Sequence, residues 1–262
     1  MVKLGGAAVE PGPPRDSVLQ DLVLLRFVGM RPVLVHGGGR EITALAQELG
    51  LETRFVAGLR VTDARTMEVA RMVLTGKINP DLVGAIHRLG GNAMGLSGED
   101  GPSILVRRRP GPAGEDLGQV GEIEEVNPEP VLALTERGLI PVVASVGLGY
   151  DGAAYNVNAD ALAARLAVEL GAEKLLLLTD VPGVLDKQGV LQSRLSVEGA
   201  RGLLQGGAAS AGMIPKLEAA CSAAAAGVTV HVVDGRQPHS LLLELLTEAG
   251  VGTMIEQEGG DG

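Results

Sequence analysis

The residues of this chain that could do chemistry on an anion are glycines, two lysines and an aspartate. Val33-Leu34-Val35-His36-Gly37-Gly38-Gly39 is an apolar run that ends in three glycines, and a helix-like stretch, Ile42 to Gly50, follows at once. A buried strand that turns through glycines into a helix N-terminus presents backbone N–H groups with no Cβ in the way. The helix dipole there favours negative charge. Lys3 stands just before Gly5-Gly6 at a strand end, and Lys216 follows Gly212-Met213-Ile214-Pro215 at the start of a helix. Asp160 lies in Asn156-Val157-Asn158-Ala159-Asp160, between a strand and a helix. Taken singly, a solvated lysine or a capping aspartate is the ordinary reading of each. All three nonetheless sit at strand-to-helix transitions, which parallel sheets collect at their ligand-binding edge. Two lysines, glycine-rich backbone and a carboxylate gathered there suit a transferring phosphoryl group.

Other chemistries fit less well. The Walker phosphate loop is absent: Gly76-Lys77 is followed by Ile78 rather than Ser or Thr, and the upstream glycine is missing. Gly147-Leu148-Gly149-Tyr150-Asp151-Gly152 matches a dinucleotide fingerprint, but Asn156 and Asn158 intervene before the next helix. His36 to Gly39 also resembles an oxyanion-hole block of lipases, yet no Gly-x-Ser-x-Gly elbow accompanies it around Ser97 or Ser145. The one cysteine, Cys221, lies in an apolar helical stretch with no charged neighbour, which suits a buried structural thiol in a reducing cytoplasm. A net charge of −10 argues against a general nucleic-acid or anionic-membrane surface and leaves room for a local basic pocket. No signal-peptide pattern opens the chain, and no run approaches the ~20 apolar residues of a membrane span.

The elements that must position these residues alternate between apolar strands and helices. Val2 to Leu4 reads as a short strand, and Pro11 to Pro14 as a loop. Asp16 or Ser17 caps a helix facing inward through Val18, Leu22 and Leu25, with Gly29 as its stop. Arg54 to Val61, with Gly58 near its middle, reads as a strand pair or flap. Asp63 begins a helix through Met67, Val69 and Met72, and another helix covers Asp81 to Leu89. Ala93 to Leu96 and Ser103 to Val106 are short strands, and Val120 to Val126 alternates as an antiparallel strand does. Pro130 to Arg137 is helical, and Leu139 to Val146 is a fully apolar strand. Asn158 or Asp160 opens the helix through Leu170. Lys174 to Thr179 is a buried strand, and Asp180 to Gly183 a turn. A last helix, strand and helix span Lys216 to Gly227, Val228 to Val233 and Ser240 to Ala249; the tail Gly259 to Gly262 reads as frayed. With no Trp and 45% hydrophobic residues, the core is built of Leu, Val, Ala and Ile. The alternation predicts an α/β fold with a mainly parallel sheet, covered on both sides, and antiparallel decoration between residues 54 and 126.

On these motifs the chain resembles the amino acid kinase family, almost end to end. The resemblance rests on Lys3-Leu4-Gly5-Gly6, His36 to Gly39, Gly58-Leu59-Arg60-Val61-Thr62-Asp63, Asn156 to Asp160, Leu178-Thr179-Asp180-Val181-Pro182-Gly183-Val184, and Gly212 to Lys216. Gly58 to Asp63 narrows it to the members acting on N-acetyl-L-glutamate. The resemblance implies an open α/β/α sandwich whose lobes, 1–172 and 173–262, hold the acyl amino acid and MgATP respectively, with dimerisation through the former. Arg60 would bind the substrate α-carboxylate under a flap over 54–62, and Asn156 would help hold the same molecule. Gly37 and Gly38 would present N–H groups to the γ-carboxylate and the phosphoryl. Gly5, Gly6, Asp180, Val184 and Met213 would border the nucleotide. Lys3 and Lys216 would offset charge in the transition state, with Asp160 orienting them.

Arginine-inhibited members carry an extra N-terminal helix that links dimers into a ring, whereas only Met1 and Val2 precede Lys3 here. A start lying further upstream stays open. By position, His231, Glu244 and Gly250 match that subgroup's arginine site; a strand-end histidine, a solvated helix carboxylate and a C-cap glycine would explain them equally. The expectation is a homodimer that keeps part of an arginine site without the ring. Rival readings are an aminoadipate-type acid kinase on the same fold and a non-catalytic amino-acid and ATP sensor.

Overall fold

Strand, glycine turn and helix follow one another as the alternation predicts in a computed structural model, which describes residues 1–6, 9–207, 212–247 and 250–257. In chain order the first elements are β1 (Val2–Leu4), α1 (Pro13–Phe27), β2 (Leu34–His36), α2 (Gly39–Glu48), β3 (Phe55–Val56), β4 (Leu59–Arg60) and α3 (Ala64–Arg71). A π-helical turn over Met72–Ile78 leads into α4 (Asn79–Arg88), followed by β5 (Ala93–Ser97), β6 (Ile104–Arg108), β7 (Gly121–Val126) and α5 (Glu129–Glu136). Then come β8 (Ile140–Ala144), β9 (Val146–Gly149), β10 (Ala154–Asn156), α6 (Ala159–Glu169), β11 (Lys174–Thr179), β12 (Arg194–Ser196) and α7 (Val197–Gln205). The last are α8 (Ile214–Ala225), β13 (Thr229–Asp234), α9 (Ser240–Leu246) and β14 (Thr253–Glu256). The expected tail at 259–262 and the end of the last helix at 249 lie outside the described residues.

The elements group into two units. One comprises Met1–Pro32 with Ala163–Gly262, and the other Val33–Leu162. This differs from a single boundary at 172/173, because β1 pairs in parallel with β11 (Lys3 opposite Leu177) and so carries the N-terminus into the C-terminal unit. In that unit the strand order is β12-β14-β13-β11-β1. All neighbours are parallel except β13 with β14. The other unit has parallel strands β2-β8-β5, a second sheet β10-β9-β6-β7 and the small hairpin β3-β4. The hairpin and the β6-β7 pair are the antiparallel decoration expected between residues 54 and 126; β9 and β10 extend the second sheet beyond that range, with β9 parallel to β6. β8 and β11 are buried on both faces, so they read as near-continuous apolar runs.

Several boundaries differ from the sequence expectation, each for a local reason. The first helix begins at Pro13, where a proline fits because its missing N–H has no helical partner to lose. Neither Asp16 nor Ser17 caps it, and Ser17 Oγ instead accepts from the His239 N–H at 2.8 Å. The apolar run Leu139 to Val146 divides at Ser145, whose carbonyl leaves the ladder and accepts from the Val157 N–H at 3.1 Å. Gly147 to Gly152 forms β9 and the turn into antiparallel β10, so no helix follows the dinucleotide-like glycines. Among the described residues no helix is long and apolar enough to cross a membrane.

Candidate active site

In the 33–162 unit, β2 delivers His36 to the glycine turn, and α2 starts at Gly39 itself. The Gly38 carbonyl accepts the Ile42 N–H at 2.9 Å, closing the first helical turn. Of the first two glycines, Gly38 has no room for a side chain, and Gly37 has room only for ordinary contact. A Cβ on Gly38 would collide with Ile78 Cδ1 and lie 3.0 Å from Leu74 Cδ2, both on the π-helical turn, and one on Gly37 would touch Ala159 Cβ at 3.4 Å. Gly37 therefore lies beside the start of α6, next to Asp160. Asn158 rather than Asp160 caps that helix: its Oδ1 accepts from the Asp160 and Ala161 N–H groups at 2.9 and 3.0 Å. Asp160 is 5% exposed, and its carboxylate is not spent as the helix cap.

The β3-β4 hairpin turns through Ala57 and Gly58, both at positive φ (48° and 79°), which places Arg60 at 7% exposure. Arg60 Nη2 donates to the Gly39 carbonyl at 2.7 Å and to Thr43 Oγ1 at 2.6 Å, so the guanidinium grips the first turn of α2. Its Cζ stands 4.8 Å from the centroid of the Phe55 ring. Nη1 is enclosed and has no hydrogen-bond partner among the described residues. Burial pulls the guanidinium below its ordinary pKa, the direction expected for a cation taken out of water without a full set of partners. Thr62 links the rest: its Oγ1 donates to the Arg60 carbonyl at 2.9 Å and accepts from Asn156 Nδ2 at 3.3 Å. Arg60, Asn156 and the glycine turn are thus joined through Gly39, Thr43 and Thr62.

In the other unit, Lys3 on β1 is 5% exposed, and its side chain folds back along the following glycines. A Cβ on Gly5 would run into Lys3 Nζ and lie 3.2 Å from its Cε. Gly6 takes φ 58°, a left-handed conformation suited to glycine, and a Cβ there would come 4.0 Å from the Asp180 carboxyl carbon. Val184 is fixed by its N–H donating to Thr253 Oγ1 at 2.8 Å. Met213 is buried where α8 begins, and Lys216 stands half-buried in that helix's first turn. The same unit brings His231, Glu244 and Gly250 together. His231 Nδ1 and Glu244 Oε1 are 2.6 Å apart, and Glu244 Oε2 accepts from the Val251 and Gly252 N–H groups at 2.6 and 2.9 Å. Burial pushes the Glu244 carboxyl up, but those hydrogen bonds outweigh it and hold it below the ordinary carboxylate range. Glu244 is therefore an interior carboxylate rather than a solvated one.

Sequence reasoning missed Asn79, Thr43 and Thr62. Asn79 lies just past Gly76-Lys77 and belongs to no motif that marks it. The structure places it at 6% exposure with its amide against His36.

Residues 1–234 match the sequence model described as the amino acid kinase family. The chain is 48% identical to the acetylglutamate kinase of Carboxydothermus hydrogenoformans over 97% of its own length and 90% of that protein's. It is 49% identical to the acetylglutamate kinase of Chromobacterium violaceum, again over 97% and 90%. A solved structure of N-acetylglutamate synthase from Neisseria gonorrhoeae, complexed with coenzyme A and N-acetyl-glutamate, superposes with a TM-score of 0.87 at 28% identity. That match covers 98% of this chain and 59% of the synthase chain.

Proposed function

The chain belongs to the amino acid kinase family, and from that premise we propose that it phosphorylates the γ-carboxylate of N-acetyl-L-glutamate with ATP, a reaction of arginine biosynthesis. The observation that carries this reading is Arg60. A buried guanidinium with one enclosed, unpartnered nitrogen, anchored beside a glycine turn, is a receptor for a planar carboxylate. The near-half identity to acetylglutamate kinases along almost the whole chain says which acid brings that carboxylate.

The chemistry is charge management. A γ-carboxylate oxygen attacks the γ-phosphorus of ATP, the bond from that phosphorus to the β–γ bridging oxygen breaks, and ADP leaves with N-acetyl-L-glutamyl 5-phosphate. The carboxylate is already ionised at neutral pH, so no proton has to be removed. The obstacle is the repulsion between two anions. Arg60 holds the acid by its α-carboxylate, and Asn156 helps hold the same molecule. Gly37 and Gly38 offer N–H groups to the reacting oxygens. Gly5, Gly6, Asp180, Val184 and Met213 border the nucleotide, which arrives with its Mg²⁺ as one substrate. Lys3 and Lys216 stabilise the charge that spreads over the phosphoryl oxygens, and Asp160 orients them.

A hydroxylamine trap tests the reading directly. With ATP, Mg²⁺ and N-acetyl-L-glutamate the protein yields an acyl hydroxamate, and with 2-aminoadipate derivatives it yields little. Folded protein that forms no hydroxamate would overturn the reading.

A homodimer acting in the cytoplasm belongs to the same proposal. Supporting it, β5 stands at the end of its strand order with Met94 48% exposed, and an open apolar edge strand invites a second copy. L-arginine binding near His231, Glu244 and Gly250 is supported by their assembly in one place and by His231 Nε2, buried with no partner among the described residues. Sedimentation velocity gives twice the chain mass, and calorimetry with L-arginine gives a binding heat. A monomer or hexamer, or no heat, would count against the respective part.

A further inference from the structure

Asn79 opens α4 directly after the π-helical turn, and the mechanism above does not use it. Its side-chain nitrogen lies 2.8 Å from the Val142 carbonyl oxygen and 3.0 Å from His36 Nε2. The Leu96 carbonyl stands at the edge of reach, 3.5 Å away. Reversing the amide would set its oxygen against the Val142 carbonyl, so β8 fixes which end faces inward. An amide nitrogen carries two hydrogens. One goes to Val142 and the other to His36 Nε2, which must therefore accept. The imidazole proton then sits on Nδ1, and Nδ1 is 3.1 Å from the Gly37 carbonyl oxygen, to which it donates.

That bond has a directional consequence. In a trans peptide the carbonyl and the following N–H point opposite ways. Drawing the Gly37 carbonyl toward His36 turns the Gly38 N–H away from it, and the Gly38 carbonyl is already committed to α2. Glycine has no side chain to hold its peptide in one orientation, so such a turn needs an outside brace. The fit around the brace is close. A Cβ on Gly95 of β5 would collide with Asn79 Oδ1, and Ile78, the residue before Asn79, presses on Gly38. The π-helical turn adds its extra residue where α3 passes into α4, and such turns are common at functional sites.

We propose that Asn79, acting through His36, is a positioning residue that aims the Gly38 N–H at the transferring phosphoryl group. This rests on the kinase reading for what the N–H meets, but the brace itself can be observed without activity. In protein carrying ¹⁵N-labelled histidine, the His36 signals, identified by their loss in His36→Leu, show a protonated Nδ1 and a bare Nε2. They stay so from about pH 8 to about pH 6, because the ring is buried and its ionisation pushed down to about 4. In Asn79→Leu the single tautomer is lost. That variant's kcat falls on the order of ten- to a hundredfold, while KM for ATP holds within about twofold. His36→Asn, whose amide nitrogen replaces Nδ1 as donor to Gly37, recovers most of the kcat that His36→Leu loses. The His36 pair carries the comparison if Asn79→Leu does not fold. An Nε2-protonated His36, or folded Asn79→Leu with wild-type kcat, overturns the proposal. Wild-type protein that forms no acyl phosphate overturns the kinase reading instead, and the tautomer signal still decides whether the brace exists.

Discussion

Alanine at Lys216 lowers kcat on the order of a hundred- to a thousandfold and leaves KM for N-acetyl-L-glutamate nearly unchanged. The sign follows from when the charge is needed. An ammonium that meets the phosphoryl oxygens as they gain charge stabilises the transition state more than the bound substrates, so its loss appears in turnover. The position itself supports a functional reading. Lys216 lies in the first turn of α8, behind Pro215, where the helix dipole disfavours a cation by roughly 0.3–1 kcal/mol. The helix dipole therefore does not account for a lysine at this position. Lys3→Ala should show the same kinetic signature with a larger loss of stability, because Lys3 is buried on β1 beside Gly5. Steady-state kinetics at saturating ATP, with circular dichroism as the folding control, checks both. Near-normal turnover in both variants would remove the two lysines from the mechanism.

What the sequence makes legible is whatever a short window encodes. Gly37-Gly38-Gly39 marks the strand-to-helix turn, Asp63 marks a helix start (its Oδ1 accepts the Thr66 N–H at 2.7 Å), and Lys174 to Thr179 is a strand from end to end. What escapes the sequence is set by partners far along the chain. Leu139 to Val146 is apolar apart from Ser145, so no period reveals that the chain passes there from one sheet to another. β12 and β14 are short and become strands only by pairing with each other and, for β14, with β13. A π-helical turn has no apolar period of its own, so the passage from α3 to α4 reads as two helices and a gap. The candidate site divides the same way. Lys3, the glycine turn, Arg60, Asp160 and Lys216 carry motifs, whereas Asn79 is defined by contacts to His36 and Val142, neither of them near it in sequence.

Arg60→Ala raises KM for N-acetyl-L-glutamate on the order of ten- to a hundredfold, the equivalent of one charge-assisted hydrogen-bonded carboxylate at about 1.5–3 kcal/mol, and changes kcat by much less. The asymmetry arises because the α-carboxylate does not change charge during transfer, so Arg60 holds ground state and transition state alike. Stability should move little, because two effects oppose each other. Removing the side chain takes one donor from the Gly39 carbonyl and one from Thr43 Oγ1, although Thr43 Oγ1 still donates to that carbonyl at 2.9 Å. It also relieves a buried cation whose Nη1 has no partner among the described residues. Arg60→Lys should not rescue binding, since an ammonium cannot grip the first turn of α2 with one nitrogen and offer a second to a carboxylate in the same plane. The deciding comparison is between acids. If Arg60 reads the α-carboxylate, its loss narrows the gap in kcat/KM between N-acetyl-L-glutamate and an analogue whose α-carboxylate is an amide. If the gap stays as wide as in the wild type, Arg60 is a structural clamp for α2 and the α-carboxylate is bound elsewhere.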